Sequence, residues 1–363
     1  MAKKFLANGL PVLIGSLPLR DHAESVELVF KYTPEIPLWI QLPAFKEEGM
    51  IAQFQTGFPG LALKAGKSFV DTTDPSFEND ILEFYENYMA VSEGELGIED
   101  SIFAINADTA RGFFSFIEHL RSLSDHPYAI KGQVTGPITF GLGLTDQNGK
   151  AIFYDEQLRD VAIKLLAQKA RWQVKKLLSF GSPIIIFFDE PGFSGFGSSA
   201  MISVSRDEVT TCFEEVVGAV HDEGGLAGIH VCANADWSLI LESDTDIISF
   251  DAYSFFDRLM LYSDRVKQFL ESGGILAWGI VPTLNSEDIE KESVESLVAR
   301  WEAQSTAIEA LGFDKASILA RTFITPACGT GSLPLDLANK VLVLTRQVSD
   351  TLRKKYGFES ANK

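Results

Sequence analysis

Cysteine is the scarcest reactive residue in this chain, with three in 363 residues, no Cys-x-x-Cys pair and no even-numbered set. That excludes a disulfide framework and a structural zinc knuckle, and three unpaired thiols suit a reducing cytoplasm. Histidine is nearly as rare, at five. There is no P-loop and no Gly-x-Gly-x-x-Gly turn, so the usual phosphate and dinucleotide cradles are missing. Positive charge is also short, with 31 Lys and Arg against 50 Asp and Glu and a formal net charge of −19. An acidic chain of this kind argues against a nucleic-acid surface and against docking on anionic lipid. No apolar run approaches the ~20 residues that a membrane-spanning helix needs. Met1-Ala2-Lys3-Lys4-Phe5 begins basic but has no apolar stretch behind it, so neither a signal peptide nor a membrane span is expected. At 46% hydrophobic and 22% charged residues, the composition is that of a soluble globular protein.

What is present is a rhythm of short β-rich runs and helix-period segments. Val12-Leu13-Ile14-Gly15-Ser16 is the first expected strand, with a helix over 21–32 behind it. Pro37-Leu38-Trp39-Ile40-Gln41-Leu42-Pro43 is the second. Residues 54–70, rich in Gly and Phe, fit neither period, and the stretch around 54–80 is read as an insertion over one end of the fold. Helical spacing returns at 81–90 and 112–120. Residues 129–139 hold the third strand and its loop, with Thr135-Gly136-Pro137 at the exit. The clearest amphipathic helix covers 156–180, where Ile163, Leu166, Ala170, Val174 and Leu177 trace one face. Ile184-Ile185-Ile186-Phe187-Phe188 is apolar throughout, as in parallel strands buried on both faces, and runs into Asp189-Glu190-Pro191. Ser205 reads as the N-cap of a helix over 206–223, stopped by Gly224-Gly225. The fifth strand ends at His230 and Cys232. Ile247-Ile248-Ser249-Phe250-Asp251, 275–282 and 318–325 are the sixth to eighth, with helices over 294–311 and 335–356.

About eight strands alternate with helices, and several end on useful side chains: Ser16, Gln41, Asp189, His230 with Cys232, Asp251, and Cys328. In a (β/α)8 barrel the C-terminal strand ends build the site, so the expected fold is a single TIM-barrel domain over 1–363. A doubly wound open sheet is the alternative, but it gathers function at one switch point.

Chemistry concentrates in Gly228-Ile229-His230-Val231-Cys232-Ala233-Asn234. Residues two apart on a strand face the same side, so His230 and Cys232 can converge on one ion. Cys328, in Thr325-Pro326-Ala327-Cys328-Gly329, offers a second thiol at the end of another apolar run. Imidazole and thiolate are zinc ligands, and three of them with one open position make the catalytic arrangement. The competing reading of the pair is a half-buried core histidine beside an inert cysteine. Cys212 sits in a helical pattern and is read as core. With two of the three cysteines at strand ends, the expectation is that His230, Cys232 and Cys328 hold Zn²⁺. A substrate thiol, mostly protonated at neutral pH with a pKa of ~8.5, would be deprotonated there into a nucleophile.

The ordered set Ile14-Gly15-Ser16, Gly136-Pro137-Ile138-Thr139, Asp189-Glu190-Pro191, His230-Val231-Cys232 and Pro326-Ala327-Cys328-Gly329 resembles the catalytic half of cobalamin-independent methionine synthase. That family lies in the uroporphyrinogen-decarboxylase-like barrel superfamily, and the resemblance spans almost the whole chain. It implies a zinc-dependent thiol methyltransferase that converts homocysteine to methionine. The zinc ligands would be His230, Cys232 and Cys328, with Asp251 standing where the family has a longer acidic ligand. Asp189 would bind the homocysteine amino group, and Gly15 and Ser16 its carboxylate. Asp189 and His230 are thus the residues assigned to catalysis. The family's Gly-Glu-Pro loop after the second strand is replaced by Ile40-Gln41-Leu42-Pro43, with Glu47 and Glu48 nearby. The family's full enzyme carries two barrels and the resemblance covers only the second, catalytic one, so the expected methyl donor is a methylcorrinoid, free or on a corrinoid protein, ahead of methyl-tetrahydrofolate.

Other readings stand beside this one. A methylcobamide-dependent enzyme acting on another thiol, such as coenzyme M, would need Arg, Lys or backbone N–H donors for the sulfonate in place of Asp189. Porphyrinogen decarboxylation needs an arginine-rich N-terminal loop, and Leu17-Pro18-Leu19-Arg20 is too meagre. A non-catalytic zinc- or corrinoid-binding module would hold metal without turnover. For Asp189-Glu190 the alternative is a helix-capping role in a loop.

Overall fold

The computed structural model describes residues 5–198, 201 and 203–358; the basic start at 1–4 lies outside them. Strands β1 (Leu61–Lys64) and β2 (Lys67–Val70) form a separate antiparallel hairpin. Strands β3 (Ile130–Thr135), β4 (Ile184–Asp189), β5 (Leu226–Val231), β6 (Ile247–Phe250), β7 (Ile275–Val281) and β8 (Thr322–Pro326) build one parallel sheet in sequence order. Helices connect successive strands, as parallel pairing requires. Among the described residues, no helix is long and apolar enough to cross a membrane.

The first two expected strands turn out differently. Residues 12–16 and 37–43 form no ladder and are joined by isolated parallel bridges, Pro11 with Ile324, Ser16 with Gln41, and Leu38 with Lys131. These bridges link β8 to the first segment, the first segment to the second, and the second to β3. The sheet thereby curls into a TIM-like barrel that ladders do not fully close. Prolines supply a reason: Pro11, Pro37 and Pro43 flank these segments and have no N–H to donate. Side chains take over part of the pairing. Gln133 Nε2 donates to Trp39 O at 2.9 Å, Trp39 Nε1 to Gln173 Oε1 at 2.8 Å, and Gln173 Nε2 to Gln133 O at 2.9 Å.

Two further expectations shift. The apolar run 318–325 divides, because Asp314 caps the short helix Lys315–Ala320 and the strand starts only at Thr322. The 54–80 stretch holds the β1–β2 hairpin, whose turn residues Ala65 and Gly66 both have positive φ. Such left-handed turns match the twist of the flanking strands. The helix after it, Phe77–Glu93, begins earlier than the apolar spacing predicts. Elsewhere boundaries move little; Ser205 and Glu208 form a capping box at the head of the helix Arg206–His221.

The strands serve two cores. Ile184, Ile186 and Phe188 pack outward against the helices, whereas Ile185 and Phe187 join Val12, Ile14, Ala277 and Phe323 in the barrel interior. This alternation is the period-two geometry of a strand. Gly228 makes room for it: a Cβ there would stand 2.6 Å from the Phe187 ring. Toward the C-terminal strand ends the same inward positions become Asp189 and, in register on β5 and β6, His230 and Ser249.

Candidate metal centre

His230 is 2% exposed at the end of β5. Its Nδ1 lies 2.8 Å from Ser249 Oγ on β6, and its Nε2 is buried with no partner. Leaving such an atom unsatisfied costs about 1–3 kcal/mol, which makes an orphan here a sign of an intended partner. In the tautomer where Nδ1–H donates to Ser249, the Nε2 lone pair is free, which is how ligating histidines are commonly held.

Cys232 follows β5 directly and Cys328 lies two residues past β8; both are half-buried. The donor atoms of His230, Cys232 and Cys328 all lie within 4.8 Å of one another. Ligands about 2.0–2.3 Å from a zinc ion stand roughly 3.5 Å apart at tetrahedral angles, so one ion fits this cluster. The Cys328 thiol and His230 hold the Cys232 thiol well below the ordinary thiol range, and sharing that proton pushes Cys328 up.

Asp189 closes β4, with its Oδ1 buried and unpartnered. Burial raises its carboxyl to about 6, against the pull of His230 and Lys131. Glu190 does something else. It accepts from Ile138 N–H at 3.0 Å, Thr139 N–H at 2.8 Å and Thr139 Oγ1 at 2.7 Å, closing the N-terminus of the helix Pro137–Gly143. The capping alternative for this pair thus holds for Glu190 and not for Asp189.

Ser16 is tied to the loop that carries Cys328. Its Oγ accepts from Gly331 N–H at 3.2 Å, and its carbonyl accepts from Thr330 N–H at 3.0 Å. Gly329 permits this approach, since a Cβ there would lie 2.3 Å from Ser16 Oγ. A cavity of about 340 Å³ opens at this end of the barrel, lined by Gly15, Ser16, Asp189, His230, Cys232 and Cys328.

Asp251 lies outside the cavity lining and the three-donor cluster, although its carboxyl is near enough to feel the charges of Cys232 and His230. Its Oδ1 accepts from Ser254 N–H at 2.8 Å and caps the helix Ala252–Leu259. Its Oδ2 is buried without a partner, and burial pushes its carboxyl up. Glu48 does reach the cavity. It is 2% exposed, accepts from Leu42 N–H at 2.9 Å, and lies 2.6 Å from His22 Nε2; Glu47 is exposed. Ser249 was missed by sequence reasoning, because only the β5–β6 register pairs it with His230.

No family model and no curated protein matches this chain. Among solved structures, the chain is similar to a methyltransferase from Methanosarcina mazei, with a TM-score of 0.55 and 11% identity over 93% of this chain and 85% of that one. The likeness is one of fold. A weaker one, at a TM-score of 0.47 and 9% identity over 95% of this chain and 85% of that one, is to the tandem GH20 catalytic modules of the pneumococcal exo-beta-D-N-acetylglucosaminidase StrH.

Proposed function

We propose that the protein is a zinc-dependent thiol methyltransferase, with homocysteine as acceptor, methionine as product and a methylcorrinoid as donor. The observation that carries this reading is the three-donor cluster with an orphaned, buried His230 Nε2, opening on the same cavity as the unpartnered Asp189 carboxylate. His230, Cys232 and Cys328 would hold the ion, and Ser249 keeps the imidazole oriented. Zinc held there would lower the pKa of a thiol bound at its open position, so that the sulfur reacts as a thiolate. The similar fold of a methyltransferase from Methanosarcina mazei is consistent with such chemistry.

The chain's own side chains account for the acceptor. Asp189 and Glu48 bring two carboxyl groups to the cavity, and no Lys or Arg is among the described residues that line it. An ammonium-bearing thiol suits that wall better than a sulfonate, which favours homocysteine over coenzyme M. Ser16 and the Gly15 segment supply donors for a carboxylate. Methyl transfer then forms a sulfur–carbon bond while the donor's bond to the methyl breaks, and the donor keeps the electron pair. The barrel's task is to hold both partners at attack distance. A cavity of about 340 Å³ suits the small acceptor and leaves a corrinoid, free or on its carrier protein, to approach from the mouth.

The test is methionine formation from homocysteine by zinc-loaded protein, with methylcobalamin and methyl-tetrahydrofolate supplied in parallel. Turnover with methylcobalamin is expected. Turnover with the folate alone would move the donor assignment, and silence with both while zinc is bound would move the assignment to another thiol acceptor or to a methylcorrinoid delivered by its own carrier protein.

A further inference from the structure

Lys131 is used neither by the expected motifs nor by the proposed chemistry. It is fully buried on β3, in register with the inward-facing Ile185. Its Nζ donates to Ile14 O at 2.9 Å, reaches Gln133 Oε1 at 3.5 Å, and lies 4.4 Å from the centre of the Phe187 ring. Sealing an ammonium away from water costs several kcal/mol, so a position that only needed filling would carry Leu or Met. What the ammonium holds is informative. Ile14 immediately precedes Gly15 and Ser16, in the segment that has isolated bridges where a ladder would otherwise fix it.

We propose that Lys131 is a positioning residue for the anionic end of the ligand. By gripping the Ile14 carbonyl it sets the Gly15 and Ser16 donors at the cavity wall, and its charge backs them from inside the barrel. This rests on the reading of the cavity as an amino-acid thiol site. The cavity is then polarised, with Asp189 and Glu48 offered to an ammonium and Ser16, with Lys131 deeper in the barrel, offered to a carboxylate. A zwitterionic head group satisfies both halves.

The experiment compares wild type and Lys131→Met, both zinc-loaded, by calorimetric titration with L-homocysteine and with 3-aminopropane-1-thiol, which is homocysteine without its carboxylate. Lys131→Met should weaken homocysteine at least roughly ten-fold and leave the amino-thiol nearly unchanged. Equal weakening of both, or of neither, would overturn the proposal. Hydrogen exchange on the same proteins, with no thiol present, separates this from failure of the functional reading. The Leu17 and Gln41 amides, which bond to Gln41 O and Gly15 O, should exchange faster in the variant while β5 and β6 stay protected. If wild type binds neither thiol, the acceptor assignment falls, and exchange alone decides the grip on Ile14: selective loosening keeps it, uniform or absent change removes it. Lys131→Gln, which retains a donor without the charge, carries the same comparison if the methionine variant does not fold.

Discussion

His230 Nδ1 and Ser249 Oγ face each other at 2.8 Å across the β5–β6 register, and this contact leaves Nε2 as the nitrogen free to bind a metal. A hydroxyl in this position acts on affinity by orienting the imidazole and fixing its tautomer. Ser249→Ala should therefore retain zinc but bind it roughly 10–100-fold more weakly, as read by competition with a chelator. An unchanged affinity would mean that Nε2 does not depend on this contact for ligation.

The three donors should behave as a set. His230→Ala, Cys232→Ser and Cys328→Ser are each expected to bring bound zinc close to zero, with the far-ultraviolet dichroism of a folded protein. Cys212→Ser is the control. That thiol is buried in the helix Arg206–His221, where burial pushes its ionisation far up, so its replacement should leave the zinc content alone. Full zinc in any of the first three variants would remove that residue from the site.

Asp189→Asn should keep zinc and weaken homocysteine binding by roughly ten-fold, because it removes one charge-assisted contact to an ammonium. Asp189 also gives this interaction a pH dependence. Burial raises its carboxyl to about 6, so the charge is present above that value and lost as the pH falls through it. Calorimetry across that range should show wild-type affinity declining toward acid, and the Asp189→Asn variant lacking that component.

The sequence was legible where one element decides geometry by itself. His230 and Cys232 share a strand face because strands have period two, and Asp189 could be placed because an apolar run ends on it. What could not be read depends on contacts between distant segments. Ser249 needs the β5–β6 register, and Glu190 caps a helix some fifty residues before it. Asp251 ends a strand as expected, but one oxygen is committed to Ser254, a local turn that the apolar pattern does not reveal. The first two strands were overread. Their apolar runs are real, but the flanking Pro11, Pro37 and Pro43 reduce ladder pairing, and buried amide and ammonium groups do part of the joining.

Lys131 offers a prediction on stability in which the sign can be worked out. Burial lowers its ammonium from 10.5 to about 8. Between these values the unfolded chain binds more protons than the folded one, so the lysine's contribution to stability rises with pH. Below about 8 the folded protein carries the full burden of a buried charge, on the order of 3 kcal/mol at 1.36 kcal/mol per pKa unit. Lys131→Met removes that burden but leaves the Ile14 carbonyl unsatisfied, which costs about 1–3 kcal/mol and offsets much of the gain. The offset between the two proteins is therefore small at neutral pH, and its slope is the signature. Wild type should gain on the variant as the pH rises from about 8 toward 10.5, measured as the difference in denaturation midpoints. A flat difference would mean that the fold does not lower this ammonium at all, whereas a rise already running at full slope well below about 8 would mean that Lys131 is neutral in the folded protein and cannot back a carboxylate. A rise that sets in only near 8 would mean that the fold tolerates at neutral pH a charge it could have discarded, as expected of a residue kept for the site.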